Sequence, residues 1–565
     1  MKNKKAKVGI IVDDAKQSRQ IYDLIQLSKT SGYYEISLLI IQKKISDKTS
    51  LKDKIFGFIQ QKGIKKLILK VVSKLISKVS FELLLKYERS RVKKNSLYKN
   101  FYETFDLDEF KIQRIYVTPN ISESGFVYRY GEEDLKKIKD NNLDLLIRGG
   151  NGILRGNILS ICPNGIISFH HGDNERYRGY PAGFWEVLQK HKSTGFVIQI
   201  LKDELDGGDV LFKGCMPTSS FYSLNLARLY TKSNIFMHQT IENIFLHKQK
   251  VSVYPKVPYS YPLYSYPNIG NQLKYTFNTV CSLLSDKIRR LSHKTFRWSV
   301  AYYYAENWRD VTLRKSKKIQ NPSYRFLADP FVIKKSDKHY IFVEDYDYRT
   351  KFGSISVYEV SKDGHKALGF ALQEKFHLSY PFLLQENGQL YMCPETHHAN
   401  DIRLYKCVNF PLEWELERVL IKNVSAADTN IFKHKGKWWI MTNIDSSGVN
   451  DHNSELHIFS SNELLSENWT PHPKNPVIFN SEQARNGGLL FENNEIYRVF
   501  QKHGFGVYGE EFGVSRIVVL NGDEYKEEIE FQIMPKFFHS IKGTHTYNYD
   551  QGLAVTDLVQ MQTER

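Results

Sequence analysis

The chain has 565 residues, 41% of them apolar and 25% charged, with a net charge of +17. That is the composition of a folded globular protein and excludes a disordered or collagen-like chain. The length exceeds what one core organises, so at least two domains are expected.

The charge is uneven. Residues 1–100 hold 24 Lys and Arg against 8 Asp and Glu, and the remainder holds 55 against 54. A protein that binds nucleic acid along its body does not carry its charge this way, so no nucleic-acid partner is expected. A local basic element facing an anionic surface fits better. Five cysteines with no CxxC pair argue against a disulfide framework or a zinc site, and no metal is expected. The N-terminus has too short an apolar run before Asp13 for a signal peptide, and no uninterrupted apolar stretch is long enough to cross a bilayer. The expected location is the cytoplasm, with the membrane surface open as a place of contact.

In chain order, KVGIIV at 7–12 reads as a strand, Ser18–Leu27 as an amphipathic helix and ISLLII at 36–41 as a second strand. The alternation predicts a parallel sheet. It resumes with RIYV at 114–117, a helix near 132–140 and LDLLI at 143–147. An α/β domain is expected over 1–250, interrupted by a basic helical insertion at 45–105. There Lys66, Lys70, Lys74 and Lys78 recur every fourth residue beside Leu67, Val71, Leu75 and Val79. Such a stripe is either the outer face of a docked helix or a contact with anionic lipid. Residues 251–297 read as a linker or extended arm, carrying Pro255, Pro258, Pro262, Pro267 and a run of tyrosines.

From 298 to 565 short strands alternate with polar turns. FLADPFVI (326–333), LSYPFLLQ (378–385), SAADTNIF (425–432), ARNGGLLF (484–491) and GTHTYNYD (543–550) each lead into a second strand. A repeat of this length predicts an all-β domain, a five-bladed β-propeller, with an irregular β-sandwich as the alternative. Aligned, the repeats place Asp329, Tyr380, Asp428, Asn486 and His545 in equivalent positions, where first strands line a central channel. With Glu344, Glu395 and Arg485 they would suit a carbohydrate substrate.

The stretch 165–214 is the most informative. A strand ends in His170 and His171, a loop carries Arg176 and Arg178, and an acidic turn DELDGGD follows. A histidine at a strand end and an aspartate on a facing turn can work as a pair, the carboxylate holding the imidazolium and fixing its tautomer. The histidine can then take a proton or stabilise an oxyanion. Arg176 and Arg178 can meet a phosphate-bearing acceptor or simply face solvent.

GIISFHH, RYRGYPAGFW, TGFVIQIL and ELDGGDVL together resemble the core of the formyltransferases that use 10-formyltetrahydrofolate, over about residues 7–215. The resemblance implies a Rossmann-like α/β domain with His170 and Asp206 as catalytic residues. The family's oxyanion-binding asparagine falls on Ser168, whose hydroxyl donates from a shorter arm. The pterin wall would be Ile147, Arg148, Gly149, Gly150 and Asn151, with Asp203, Glu204 and Leu205 on the facing turn. The implied activity is transfer of a formyl group from 10-formyltetrahydrofolate, as co-substrate, to an amine. An amino sugar or nucleotide sugar of a surface glycan is the expected acceptor. The ADPF start resembles five-bladed glycosidases of the arabinanase type, and the C-terminal half is similar to the propeller-like region of plant glucosamine inositolphosphorylceramide transferases. These likenesses imply a second reading: a glycan-binding or glycan-processing propeller attached to a degenerate formyltransferase-like module.

Overall fold

A computed structural model describes residues 4–43, 64–204, 207–247 and 254–563. The chain divides into two compact units, Met1–Cys281 and Ser282–Arg565.

The first unit is built on a seven-stranded sheet. Its strands are β1 (Ala6–Val12), β2 (Tyr34–Gln42), β3 (Gln113–Val117), β4 (Leu145–Arg148), β5 (Ile166–His171), β6 (Ser193–Ile200) and β7 (Asp209–Pro217). They lie in the order β7-β6-β5-β4-β1-β2-β3. β1 runs parallel to both β2 and β4, so the sheet's strand order reverses at β1. In such sheets a crevice opens at the carboxyl ends of the strands flanking the reversal. β1 and β2 are apolar runs because helices cover the sheet; Ile11, Leu38, Ile40 and Leu146 pack with Leu135 and Ile138 of α3 (Glu132–Lys139).

The sheet is parallel from β3 to β5, as the alternation predicts, and its last two strands are antiparallel, β6 to β5 and to β7. Eight residues separate β6 from β7, too few for a crossover, and short connections join antiparallel neighbours.

Two more helices precede α3: α1 (Arg19–Thr30) and α2 (Ile64–Lys93). Of the basic insertion, residues 44–63 and the side chains of Lys66, Lys70 and Lys74, with Leu67, Val71 and Leu75, lie outside the described residues. The rest of α2 buries Phe81, Leu84, Leu85, Glu88 and Val92, a helical spacing that faces the core. Glu88 accepts from Tyr275 Oη at 2.5 Å and from the Ser223 amide at 3.0 Å. This part of the insertion is a docked helix. Three helices follow α3 in the chain: α4 (Phe184–Gln189), α5 (Tyr222–His247) and α6 (Ile269–Leu291).

The arm at 254–267 is pinned to the same unit. Tyr264 donates its amide to Arg178 O and accepts from the Tyr180 amide. Gly179 permits this approach, since its φ is +117° and a Cβ there would run into the Tyr264 carbonyl.

The second unit is a five-bladed propeller. Four sheets follow the chain in order, spanning 325–372, 379–422, 426–479 and 486–533. The fifth joins the two ends of the domain: β8 (Lys294–Tyr304) pairs antiparallel with the last strand, Leu553–Thr563, along its whole length. The innermost strands of the first four blades are Arg325–Lys335, Ser379–Glu386, Ala426–His434 and Asn486–Glu492. All five repeats read from the sequence begin a blade's inner edge. Among the described residues all five cysteines are free thiols.

Candidate active site in the propeller channel

Each of the four innermost strands breaks register at the same place. The shifts fall between Ala328 and Phe331, Ser379 and Phe382, Ala427 and Asn430, and Asn486 and Gly488. In the first three, the bulged residue has left-handed backbone: Asp329 at φ +47°, Tyr380 at +46° and Asp428 at +47°. A non-glycine residue there costs roughly 1–2 kcal/mol. Such strain collects at functional sites, where surrounding structure enforces it. Asp329, Tyr380, Asp428, Asn486 and His545 are all buried.

Their side chains meet. His545 Nδ1 lies 2.6 Å from Asp557 and its Nε2 lies 3.3 Å from Asp329. Arg485 donates from Nε to Asp428 at 2.6 Å and from Nη2 to Glu395 at 3.4 Å. Gln501 donates to Asp428 at 2.8 Å, and Asn486 to the Asp428 carbonyl at 2.7 Å. Tyr380 Oη donates to Asn430 at 2.9 Å. His397 Nδ1 is 2.6 Å from Glu395, and His377 Nε2 is 3.5 Å from Glu344. Trp298 stacks on His545 at 4.0 Å, and Tyr508, partly exposed, carries Arg485 over its ring.

Five buried carboxylates thus face one arginine and a row of histidines. Burial and the neighbouring Asp329, Glu395 and Asp428 push the Glu344 carboxyl well above the usual carboxylate range. Burial pushes Asp329 up to about 6 against the pull of His545. Burial also raises Glu395, but the hydrogen bond and charge of His397, with Arg485, outweigh it and hold Glu395 well below the ordinary value. Burial would lower His545; Asp557 and Asp329 outweigh it and raise its pKa above the ordinary histidine value. Glu344, held high, and Glu395, held low, are carboxyls whose proton affinities are pushed apart, a separation that acid–base chemistry can use. Asp329, His545 and Asp557 also present ligand atoms within 4.8 Å of one another, the set among the described residues that can hold a cation.

Asp557 and the histidines at 377, 397 and 452 were not singled out by sequence reasoning. A signal for Asp557 exists. The second strand of each repeat carries a polar residue: Glu344, Glu395, Asn443, Gln501 and Asp557. All five are buried.

The residues predicted for the first unit lie elsewhere. Ser168 is buried in β5, and its hydroxyl donates to the Phe169 carbonyl at 3.1 Å. His171 is fixed between Phe169 and Tyr230, with Ser233 Oγ 2.9 Å from its Nε2. Burial, then the nearby His170, drops its pKa to about 3. His170 is half-buried at the strand end. Asp206 and Leu205 lie outside the described residues.

The segment Ile147–Asn151 is engaged within the chain. Arg148 closes on the Gly152 carbonyl at 2.9 Å, and Asn151 donates twice to Asp13. A Cβ at Gly149 would sit 2.8 Å from Ile21, and one at Gly150 2.6 Å from Gln42. Asp203 accepts from the Gly156 amide, and Glu204 pairs with Lys256 of the arm at 3.5 Å. Arg176 meets His191 at 2.8 Å, and Arg178 lies over Tyr259.

The folds and the ring of buried carboxylates define a two-domain protein, an α/β unit followed by a propeller with a carboxylate-rich channel. Residues 297–563 match the family model described as Glucosamine inositolphosphorylceramide transferase 1, N-terminal. Glucosamine inositolphosphorylceramide transferase 1 of Arabidopsis thaliana is 38% identical over 230 residues, which are 40% of this chain and 29% of that protein. The protein of the same name from Oryza sativa subsp. japonica is 36% identical over 207 residues, 36% of this chain and 27% of that protein. The chain therefore spans under a third of the length of these relatives. Among solved structures, glycinamide ribonucleotide transformylase 1 from Symbiobacterium toebii is 12% identical over 44% of this chain and 93% of its own, with a TM-score of 0.28. A thermostable family-43 glycoside hydrolase is 14% identical over 36% and 75%, with a TM-score of 0.30.

These relatives correct the functional expectation. Their name carries a sugar and a sphingolipid headgroup, and neither a formyl group nor folate. Formyltransferase activity, one-carbon transfer and 10-formyltetrahydrofolate as co-substrate are withdrawn. The motif around His170 reports the course of the backbone, and a shared fold does not fix chemistry.

Proposed function

We propose that the propeller is the sugar-handling domain of a glycosyl-transfer protein, and that its channel takes an amino sugar. The observation that carries this reading is the convergence of Asp329, Glu395, Asp428 and Asp557 on Arg485 and His545, with Glu344 beside these carboxylates and Trp298 and Tyr508 beside His545. Carboxylates and amides bind sugar hydroxyls, and aromatic rings receive the apolar face of a pyranose. The excess of acidic groups suits a protonated amine, such as that of the glucosamine in the relatives' name. By the same likeness the transfer concerns a sphingolipid headgroup of the inositolphosphoryl type. His170 and Ser168 stand in this reading outside the sugar chemistry.

Calorimetric titration of the full chain with methyl glucosaminide, methyl glucoside and methyl N-acetylglucosaminide tests the site. The free amine should bind about tenfold more tightly than the other two, a difference of about 1.4 kcal/mol. Asp428→Asn and Glu395→Gln should remove that preference. In the lipid product analysed by mass spectrometry, Asp329→Asn and Asp428→Asn should abolish sugar transfer, and His170→Ala should leave it. Equal loss with His170→Ala, or no discrimination among the three glycosides, sinks the reading.

A further inference from the structure

The helix α6 is anchored at one end and bare along the rest. Gln272 and Tyr275 are its buried residues. Tyr275 Oη donates to Glu88 and accepts from the Tyr222 amide at 2.7 Å. Beyond that turn the apolar side chains face outward: Leu273, Phe277, Val280, Leu284, Ile288 and Leu291 are each 42–72% exposed. They are spaced by four, three, four, four and three residues to the end of the helix. At about 100° per residue the six fall within an arc of roughly 80°, one continuous apolar stripe. Single exposed apolar residues need no explanation, but an unbroken stripe of this length does.

The charges around the stripe are of one sign. Lys274, Lys287, Arg289 and Arg290 lie on the helix and Lys294 just after it. Asp286 is the one acidic residue of the helix, and Arg289 pairs with it at 2.9 Å. Two copies of such a helix brought face to face would set like charges together. An anionic bilayer satisfies both halves of the pattern: the stripe enters the acyl boundary and the cations meet lipid phosphates and carboxylates. Among the described residues no helix is long and apolar enough to cross a membrane, so the contact this pattern fits is in-plane.

We infer that α6 is a membrane-surface helix that seats the protein on an anionic bilayer through Leu273, Phe277, Val280, Leu284, Ile288 and Leu291. The inference rests on the exposure pattern of α6 alone, and neither the sugar site nor the lysine stripe of α2 enters it. It adds a specific docking element to the peripheral membrane contact expected of the basic insertion.

The test is flotation of the full chain with phosphatidylcholine vesicles, with and without phosphatidylserine. The wild type should float with the phosphatidylserine vesicles and remain below with phosphatidylcholine alone. Phe277→Asp with Leu284→Asp should cut the bound fraction at least about tenfold, and Lys287→Glu with Arg290→Glu should remove the preference for the anionic lipid. All four positions point outward, so circular dichroism and thermal unfolding should match the wild type. No flotation by the wild type overturns the inference, as does flotation indifferent to the Phe277/Leu284 change. Sedimentation velocity reads the competing occupant: a dimer that this double variant dissociates would show that a second copy covers the stripe.

Discussion

His503 shows how one buried side chain sets a pH dependence. Its Nδ1 accepts from the Gly509 amide at 3.0 Å, which requires the neutral ring. Burial, then the Arg485 charge, lowers its pKa to about 3. The unfolded chain takes up this proton near pH 6.5 and the folded chain does not until about pH 3, so this histidine's effect is to reduce stability as pH falls through that window. The slope is about 1.4 kcal/mol per pH unit for one such group. His545 works in the opposite sense. Its folded pKa is raised, so its contribution is fully present below about pH 6.5 and is lost as pH rises through the folded value. Urea unfolding measured from pH 7 to pH 4.5 should lose stability on the acid side, and His503→Gln should flatten that slope. An unchanged slope would mean that His503 is already protonated in the folded protein.

At the scale of elements, the bulge repeated in the inner strands explains why this site is a ring. One extra residue per strand turns Asp329, Tyr380 and Asp428 out of the pleat, and the same break recurs at Asn486. Closure of that ring depends on β8 and the strand Leu553–Thr563. These pair over eleven residues and bring His545 and Asp557 to Asp329. A chain ending at residue 552 should lose the cooperative thermal transition of the propeller, because the fifth blade would then lose the strand that β8 pairs with and His545 would lose Asp557. A truncated chain melting as sharply as the full one would refute this closure.

Repetition also explains what could be read in advance. Five strand pairs with the same pattern announced five blades, and aligning their first strands found Asp329, Tyr380, Asp428, Asn486 and His545. The second ring, ending in Asp557, sat in the same alignment one strand later. The histidines at 377, 397 and 452 had no such marker. They lie outside the inner strands; His397 reaches Glu395 from two residues away, but the meeting of His377 with Glu344 and of His397 with His377 and His452 exists only once the chain has folded.

For the molecule as a whole, the two compact units give separate handles on ligand binding. A ligand that binds only the folded state stabilises the unit that holds it. Methyl glucosaminide should therefore raise the melting transition of the propeller and leave that of the α/β unit in place, and Asp428→Asn should abolish the shift. A shift confined to the α/β transition would relocate the sugar site.

The sequence by itself determined the alternation of strand and helix in the first half, the five repeats in the second, and the basic bias of the first hundred residues, because periodicity and charge are properties of the chain. It also led to formyl transfer, because a strand, a histidine pair and a glycine-rich acidic turn describe a backbone shape more closely than a reaction. Only the tertiary structure decided which polar residues act together. It spent Arg148, Asn151 and Ser168 on bonds within the chain, drew Glu395, Asp428 and Asp557 to Arg485 and His545, and set His377 beside Glu344. The physical reason is that a carboxyl's protonation and partner depend on what is buried beside it, and those neighbours come from strands far apart in the chain.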